Sequence, residues 1–447
     1  MWSIIRSCLL TIAACVYRVI HQNIPDPEAG WWKRQGIRAK ITLYVLMTPE
    51  MMIWWAMRQW FGAKEVADQV NNVKPELKWT LTHGHFAQMG GFGRLDDGRV
   101  LHPPTLITLL ETGQIDVEEL RRVTEERIND HSKGDILSKG IVALQTTWFA
   151  FECLARLHQG LPLLELEVVT LAFAVLNTLT YAFWWHKPLD VRCPVYLHIL
   201  PPQEALITSP PYLGGTGESL PLLDNGVVEV KEKRKQKGVV QRTWNVVAES
   251  IAGAGKSLLG VVGSVWKGLC AVGKDIKEDV WGTLWRWLIE EPFLLVAGPL
   301  LELFISDDEV DEDATHVATF YGMQLSDGKT GVVWFSCSVI GMAFGAIHFL
   351  SWHSAFLTHT QLLLWRISTI ALVAEPFCLA LEAVLVRIVD GVDDPPLFVT
   401  SFLVFFFPVS FFLGPIVYVL ARMCLLVLAF LTLRNPPPAA LETISWT

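Results

Sequence analysis

The stretch LFVTSFLVFFFPVSFFLGPIVYVLARMCLLVLAFLTL, residues 397–433, decides the fold class. About 20 apolar residues cross a ~30 Å hydrocarbon core as a helix. This run is therefore long enough for two crossings, broken around Pro408, Gly414 and Pro415. Upstream of it lie the apolar runs Val332–Trp352 and Leu362–Val386. Nearer the start are Ala39–Phe61, with Pro49 in its middle, and Gly140–Gly160 with Leu163–Trp185, a hairpin joined by Leu161 and Pro162. The opening segment Trp2–Ile20 reads as a first span. Arg6 ahead of a short apolar core ending at Ala13, Ala14 and Cys15 fits a cleaved signal as the alternative. Trp285–Ile305, interrupted by Glu290, Glu291 and Pro292, makes a possible further span. The expectation is an all-α, polytopic helical membrane protein with seven to eight spans and a small polar inter-span domain.

Composition agrees. The 447 residues are 51% hydrophobic and 18% charged, with a mean hydropathy of +0.36, on the membrane side of the globular range. Trp31, Trp32, Trp54, Trp55, Trp60, Trp184 and Trp185 fall at the ends of apolar runs, where indoles favour the water–lipid boundary. A net charge of −9 without a broad basic surface excludes nucleic acid as a partner. The partners to expect are the lipid bilayer and, given the aromatic supply, an apolar small molecule or lipid. The eight cysteines show no C-x-x-C and no zinc spacing, which argues against a disulfide scaffold.

The chain divides into N-terminal spans (1–61), a polar extramembrane domain (62–139), the helical hairpin (140–185) and a flexible Pro-, Gly- and charge-rich linker (186–238). Then come amphipathic or interfacial helices with the possible span (239–305), an acidic loop (306–331), C-terminal spans (332–434) and a tail (435–447). No internal repeat is visible. Positive-inside evidence conflicts between Lys33, Arg34 and Arg38 and the basic end of the linker, so orientation stays open.

Function is sought first at carboxylates inside the apolar runs: Glu50, Glu152, Glu375 and Glu382. A charge at bilayer depth costs about 2.5–3.5 kcal/mol on insertion scales, so such groups face a protein interior or a wet cavity. Glu375 and Glu382, seven apart on one helix face with Pro376 opening the backbone, suit a cation or proton path; burial against Arg366 or Arg387 explains them equally. Glu152 and Arg156, four apart, should pair. His348, His353 and His359 straddle the end of a span whose Gly341, Ala343, Gly345 and Ala346 suit close packing.

His83 and His85 would share one face of a strand and could hold a metal if Asp96 or His102 joined them; histidines bracing a turn are the plainer reading. Asp130, His131, Lys133 and Asp135 could meet a lipid headgroup, or Ser132 or Asp135 could cap the following helix. Asp307–Asp311 is formally a D-D-x-x-D pattern, and Ala252–Ser257 echoes a phosphate loop without its first glycine or its strand. No hydrolase signature occurs, and no motif names a cofactor.

Several stretches together resemble a family of uncharacterised fungal multi-pass membrane proteins: Ser7–Leu9, His21–Pro25, Pro49-Glu50 with Trp55–Trp60, Trp79–Phe92, Ser132–Asp135, Thr180–Pro194, Gly345–His348, Leu364–Arg366 and Ala421-Arg422. The resemblance implies a helical membrane fold and a fungal source, and it brings no activity. Two functions are then expected: a channel, transporter or sensing component with a polar interior at Glu50, Glu375 and Glu382, or a membrane-embedded enzyme acting on a lipid or isoprenoid, with the His83/His85 segment or the acidic loop binding a metal near the interface.

Overall fold

The computed structural model describes residues 2–130, 135–200, 314–354, 356–390 and 397–442. The chain forms two units, one comprising Met1–Pro202, Gly298–Leu385 and Ser401–Thr447, the other Gln203–Ala297 and Val386–Thr400. Of the second, only the helix ends at 386–390 and 397–400 are described.

The first unit is built around helix α9 (Glu165–Trp184). Its sequence is apolar almost throughout, so nearly every side chain can be buried. It packs against α1 (Trp2–Ala13), α3 (Pro49–Val73), α8 (Asp135–His158) and α10 (Asp327–Ile347). The hydroxyls of Thr170 and Thr180 return to the carbonyls of Leu166 and Leu176, whereas buried Asn177 between them has no side-chain hydrogen-bond partner among the described residues. At its start the Glu167 carboxylate accepts the backbone N–H of Leu164 at 2.8 Å, satisfying one exposed donor.

The Ala39–Phe61 run is not one kinked span. The chain breaks at Thr48 (φ −136°), ending α2 (Trp31–Met47), and Pro49 occupies the first turn of α3. Proline there costs no hydrogen bond and pre-sets the helical φ. α3 then runs about 37 Å. Its first turns pack on the apolar helices, and its second half carries a small domain of α4 (Leu81–Gln88), α5 (Pro103–Glu111), α6 (Val117–Arg121) and α7 (Glu125–Asp130). Val66, Val70, Trp79, Phe86, Phe92 and Leu106 are among its core residues. Gly84 is required here, because a Cβ would strike the backbone carbonyl of Ala63 on α3.

The start of the expected linker is ordered instead. Val191 and Leu197 join that core, and β2 (Val195–Leu197) pairs in parallel with β1 (Phe92–Arg94) in the register Phe92↔Val195. Apolar residues alternating toward an existing core outweigh the local Pro and charge content.

Four helices among the described residues are long and apolar enough to cross a membrane: Glu165–Trp184, Gly328–Ser351, His359–Val389 and Leu413–Thr432. The expected seven to eight are not supported. α1 (12 residues) runs into a π-helical turn at Ala14–Arg18 and is not among these four. α2 carries Lys33, Arg34, Arg38 and Lys40. α8 carries Asp135, Lys139, Glu152 and Arg156. The C-terminal run does not divide in two: α12 (Leu397–Thr432) is one 36-residue helix through Pro408 and Pro415, preceded by α11 (His359–Asp390). The Trp285–Ile305 span, the 239–280 helix, the Asp307–Asp311 motif and the Ala252–Ser257 segment lie outside the described residues.

Candidate functional site

α3, α10, α11 and α12 bring together three of the residues singled out above. Glu50, in the first turn of α3, accepts a hydrogen bond from the Tyr418 hydroxyl of α12, and its other carboxylate oxygen has no hydrogen-bond partner. Its Cγ packs beside Gly341, where an added Cβ would lie 3.3 Å away. That same Cβ would lie 3.1 Å from the Pro376 ring, so α10 and α11 meet here because residue 341 has no side chain. Glu375 leans on Gly414, one turn before Tyr418: a Cβ there would lie 3.0 Å from the Glu375 Cγ and 3.2 Å from its Oε1. Gly341 and Pro376 are both mid-helix, so the start of α3 sits at the middle level of α10 and α11. The positive end of the α3 dipole therefore falls beside a carboxylate in an otherwise apolar setting.

One turn beyond Tyr418 lies Arg422, fully buried. Its Nη1 is 3.0 Å from Nε2 of His348. His348 Nδ1 is 3.1 Å from the Phe344 carbonyl and must donate to it, which leaves Nε2 as the acceptor from the guanidinium. The His348 carbonyl in turn accepts Nε1–H of Trp365 at 3.3 Å. The guanidinium lies over the rings of Phe173 (4.5 Å) and Phe344 (4.8 Å).

The other sequence candidates disperse. Glu382 is buried on α11, with Ser410 of α12 beside its carboxylate. Arg366 does not neutralise that face: it bonds the Trp352 carbonyl and stacks on the Trp352 ring. Arg156 does not pair with Glu152. Its nearest carboxylate is Glu167 (3.8 Å), and it donates to the carbonyls of Pro162, Ala440 and Glu442, so it ties down the C-terminal segment. His353 and His359 are exposed and apart from His348.

His83 and His85 stand on helix α4 rather than a strand, so two residues of separation turn them about 200° apart. His83 is the third helical residue of a capping box with Thr80, its Nδ1 accepting the Thr80 N–H at 3.1 Å and its Nε2 donating to the Val123 carbonyl at 3.0 Å. No group of three His, Cys, Asp or Glu able to hold a metal occurs among the described residues. Burial lowers the pKa of His83, and burial followed by the charges of Lys187, His186 and Lys139 holds His85 well below the usual imidazole range.

The sequence reading passed over a second polar cluster. Lys187, just beyond the end of α9, is buried and donates to the His21 carbonyl (2.5 Å), Gln59 Oε1 (2.8 Å) and Asn23 Oδ1 (3.1 Å). The indoles of Trp55 and Trp184 each lie 4.9 Å from its nitrogen. Gln59 also receives Trp184 Nε1 at 3.0 Å and donates to the Tyr321 carbonyl at 2.7 Å. Burial pushes Lys187 well below the usual ammonium range, while three oxygens and two indole faces favour the charged form. Trp55 and Trp184 are thus core residues and not the boundary anchors their run-end positions suggested, whereas Trp31, Trp32 and Trp185 are exposed. The signal available was the occurrence of His21–Asn23, Trp55–Gln59 and Trp184–Lys187 among the stretches that carry the resemblance.

The fold and this site define a predominantly helical protein with four candidate membrane-crossing helices among the described residues. Residues 1–205 match the model of a family of unknown function (DUF8562). That match takes in α1–α9, the Lys187 cluster and Glu50, and it stops short of His348, Glu375, Tyr418 and Arg422. No curated protein and no solved structure matches the chain.

Proposed function

We propose that the chain is a multi-pass membrane protein whose site between α3, α10, α11 and α12 binds and releases protons or cations, as part of a transporter, channel or sensor. One observation carries this reading. A helix begins at mid-level among candidate spans, at Thr48–Pro49, and its first turn holds a buried carboxylate, Glu50, bonded by a tyrosine rather than a cation, with Glu375 on the same side. Interrupted helices whose ends meet a polar site at mid-membrane are a recurrent construction in transporters. Their non-helical backbone is tolerated because it lines a protein interior. Lipid exposure of α8 fits as well: Ile141, Leu144, Trp148, Phe151 and Leu154 form an exposed apolar stripe at helical spacing. The enzyme alternative gains no support from His83 and His85, which diverge on α4, with His83 engaged in the capping box.

The test uses the full chain in liposomes loaded with a pH-sensitive dye. A negative-inside potassium diffusion potential should acidify the lumen through the wild type, and Glu50→Gln and Glu375→Gln should slow that at least tenfold. Absence of wild-type proton flux, or unchanged flux in both variants, would overturn the proposal.

A further inference from the structure

We infer that Arg422 is a seat for the carboxylate or phosphate group of an amphiphilic anion, gripped bidentately through Nε and Nη2. The guanidinium is fully buried. Phe173 and Phe344 lie against its π-system, and His348 holds Nη1. Nε and Nη2 have no hydrogen-bond partner among the described residues. Those two nitrogens form one side of the planar fork, the edge that matches the two oxygens of a carboxylate or phosphate.

Among the described residues no carboxylate is hydrogen-bonded to Arg422: His348 meets it as a neutral acceptor, and Glu50, which acts on it electrostatically, accepts from Tyr418 instead. A buried guanidinium left with open donors is costly, and an anion brought from outside removes that cost. The start of α3 adds a favourable dipole on the Glu50 side. Aromatic walls suit an anion that carries an apolar chain.

The seat deepens the proposed function, and only the coupling rests on it: an anion on Arg422 would offset the guanidinium charge and so change how readily Glu50 and Glu375 take up the conducted proton.

The full chain in lipid nanodiscs is titrated calorimetrically with octanoate, octyl phosphate and octyltrimethylammonium. Octanoate or octyl phosphate should bind saturably and raise the melting temperature, and the cation should do neither; the tighter of the two anions identifies carboxylate or phosphate as the recognised group. Arg422→Lys, which keeps the charge and loses the fork, and Arg422→Gln should weaken binding at least tenfold, with Lys33→Gln as a surface control. Failure of both anions to bind the wild type, or equal binding by Arg422→Lys, overturns the seat. The comparison of anion with cation on the wild type stands even if the Arg422 variants fail to fold. Anion binding without proton flux would sink the transport reading and leave the seat intact; proton flux without anion binding would do the reverse.

Discussion

Replacing Lys187 by methionine tests whether the cluster beyond α9 holds the first unit together. Methionine keeps the unbranched shape and removes three donors. The loss is unequal across the three acceptors. Gln59 Oε1 keeps Trp184 Nε1, and Asn23 Oδ1 keeps Gln59 Nε2 at 3.1 Å, so each retains one donor, while the His21 carbonyl gives up its 2.5 Å bond to the ammonium. At about 0.5–1.5 kcal/mol for each of the three hydrogen bonds lost, the sum is roughly 1.5–4.5 kcal/mol. Loss of two cation–π contacts adds to this, and relief from burying a charge subtracts from it. We expect a net destabilisation of about 2–4 kcal/mol, on the order of several degrees in melting temperature. Intrinsic tryptophan fluorescence during a thermal ramp of the detergent-purified protein is the assay, since Trp55 and Trp184 border the lysine. Lys33→Met is the control, its side chain being 63% exposed. A Lys187→Met protein melting within one degree of wild type would refute the reasoning and leave the cluster as packing without energetic consequence.

Gly345→Leu should separate α10 from α11, because even a Cβ at that position would lie 2.8 Å from Val373 Cγ2 and 3.0 Å from the Leu372 carbonyl; we expect a loss of at least about 2 kcal/mol, read by thermal melting, and a wild-type midpoint would contradict it. The lowered pKa of buried His85 predicts stability that is full above the unfolded value near 6.5 and falls as pH drops below it, since the unfolded chain then binds the proton more readily; His85→Gln should flatten the melting profile between pH 7 and 5, and an unchanged slope would exclude that residue as the source. Arg156→Gln removes the donor to the Ala440 and Glu442 carbonyls, so brief proteolysis should clip the C-terminal segment at least several-fold faster than in wild type, with equal rates counting against the tether.

What the sequence reveals and what it hides follow from how each feature is encoded. Apolar runs of span length are local, so α9, α10, α11 and the second half of α12 are readable from hydropathy alone. Hydropathy is also blind to continuity. It cannot separate a proline that kinks a helix from one that starts the next, as Pro49 does, nor a proline that ends a helix from those at 408 and 415, which α12 absorbs. The carboxylates of the candidate site were conspicuous because charge inside an apolar run is rare. Their partners were not, because Tyr418 and Arg422 come from a helix some 370 residues downstream of Glu50, and the Ala421-Arg422 stretch of the resemblance carries no hint of what it meets. The same holds for Lys187: beside a chain reversal and near a charged segment it looks like an ordinary solvated lysine, and only the convergence of residues 21, 59 and 184 makes it a buried one. Carboxylates inside apolar runs therefore locate a candidate site, while the identity of a bound group is sought in the unmatched donors around it. For this chain those donors are Nε and Nη2 of Arg422, which is why the recognised species is sought among anions even though the first sequence signal was acidic.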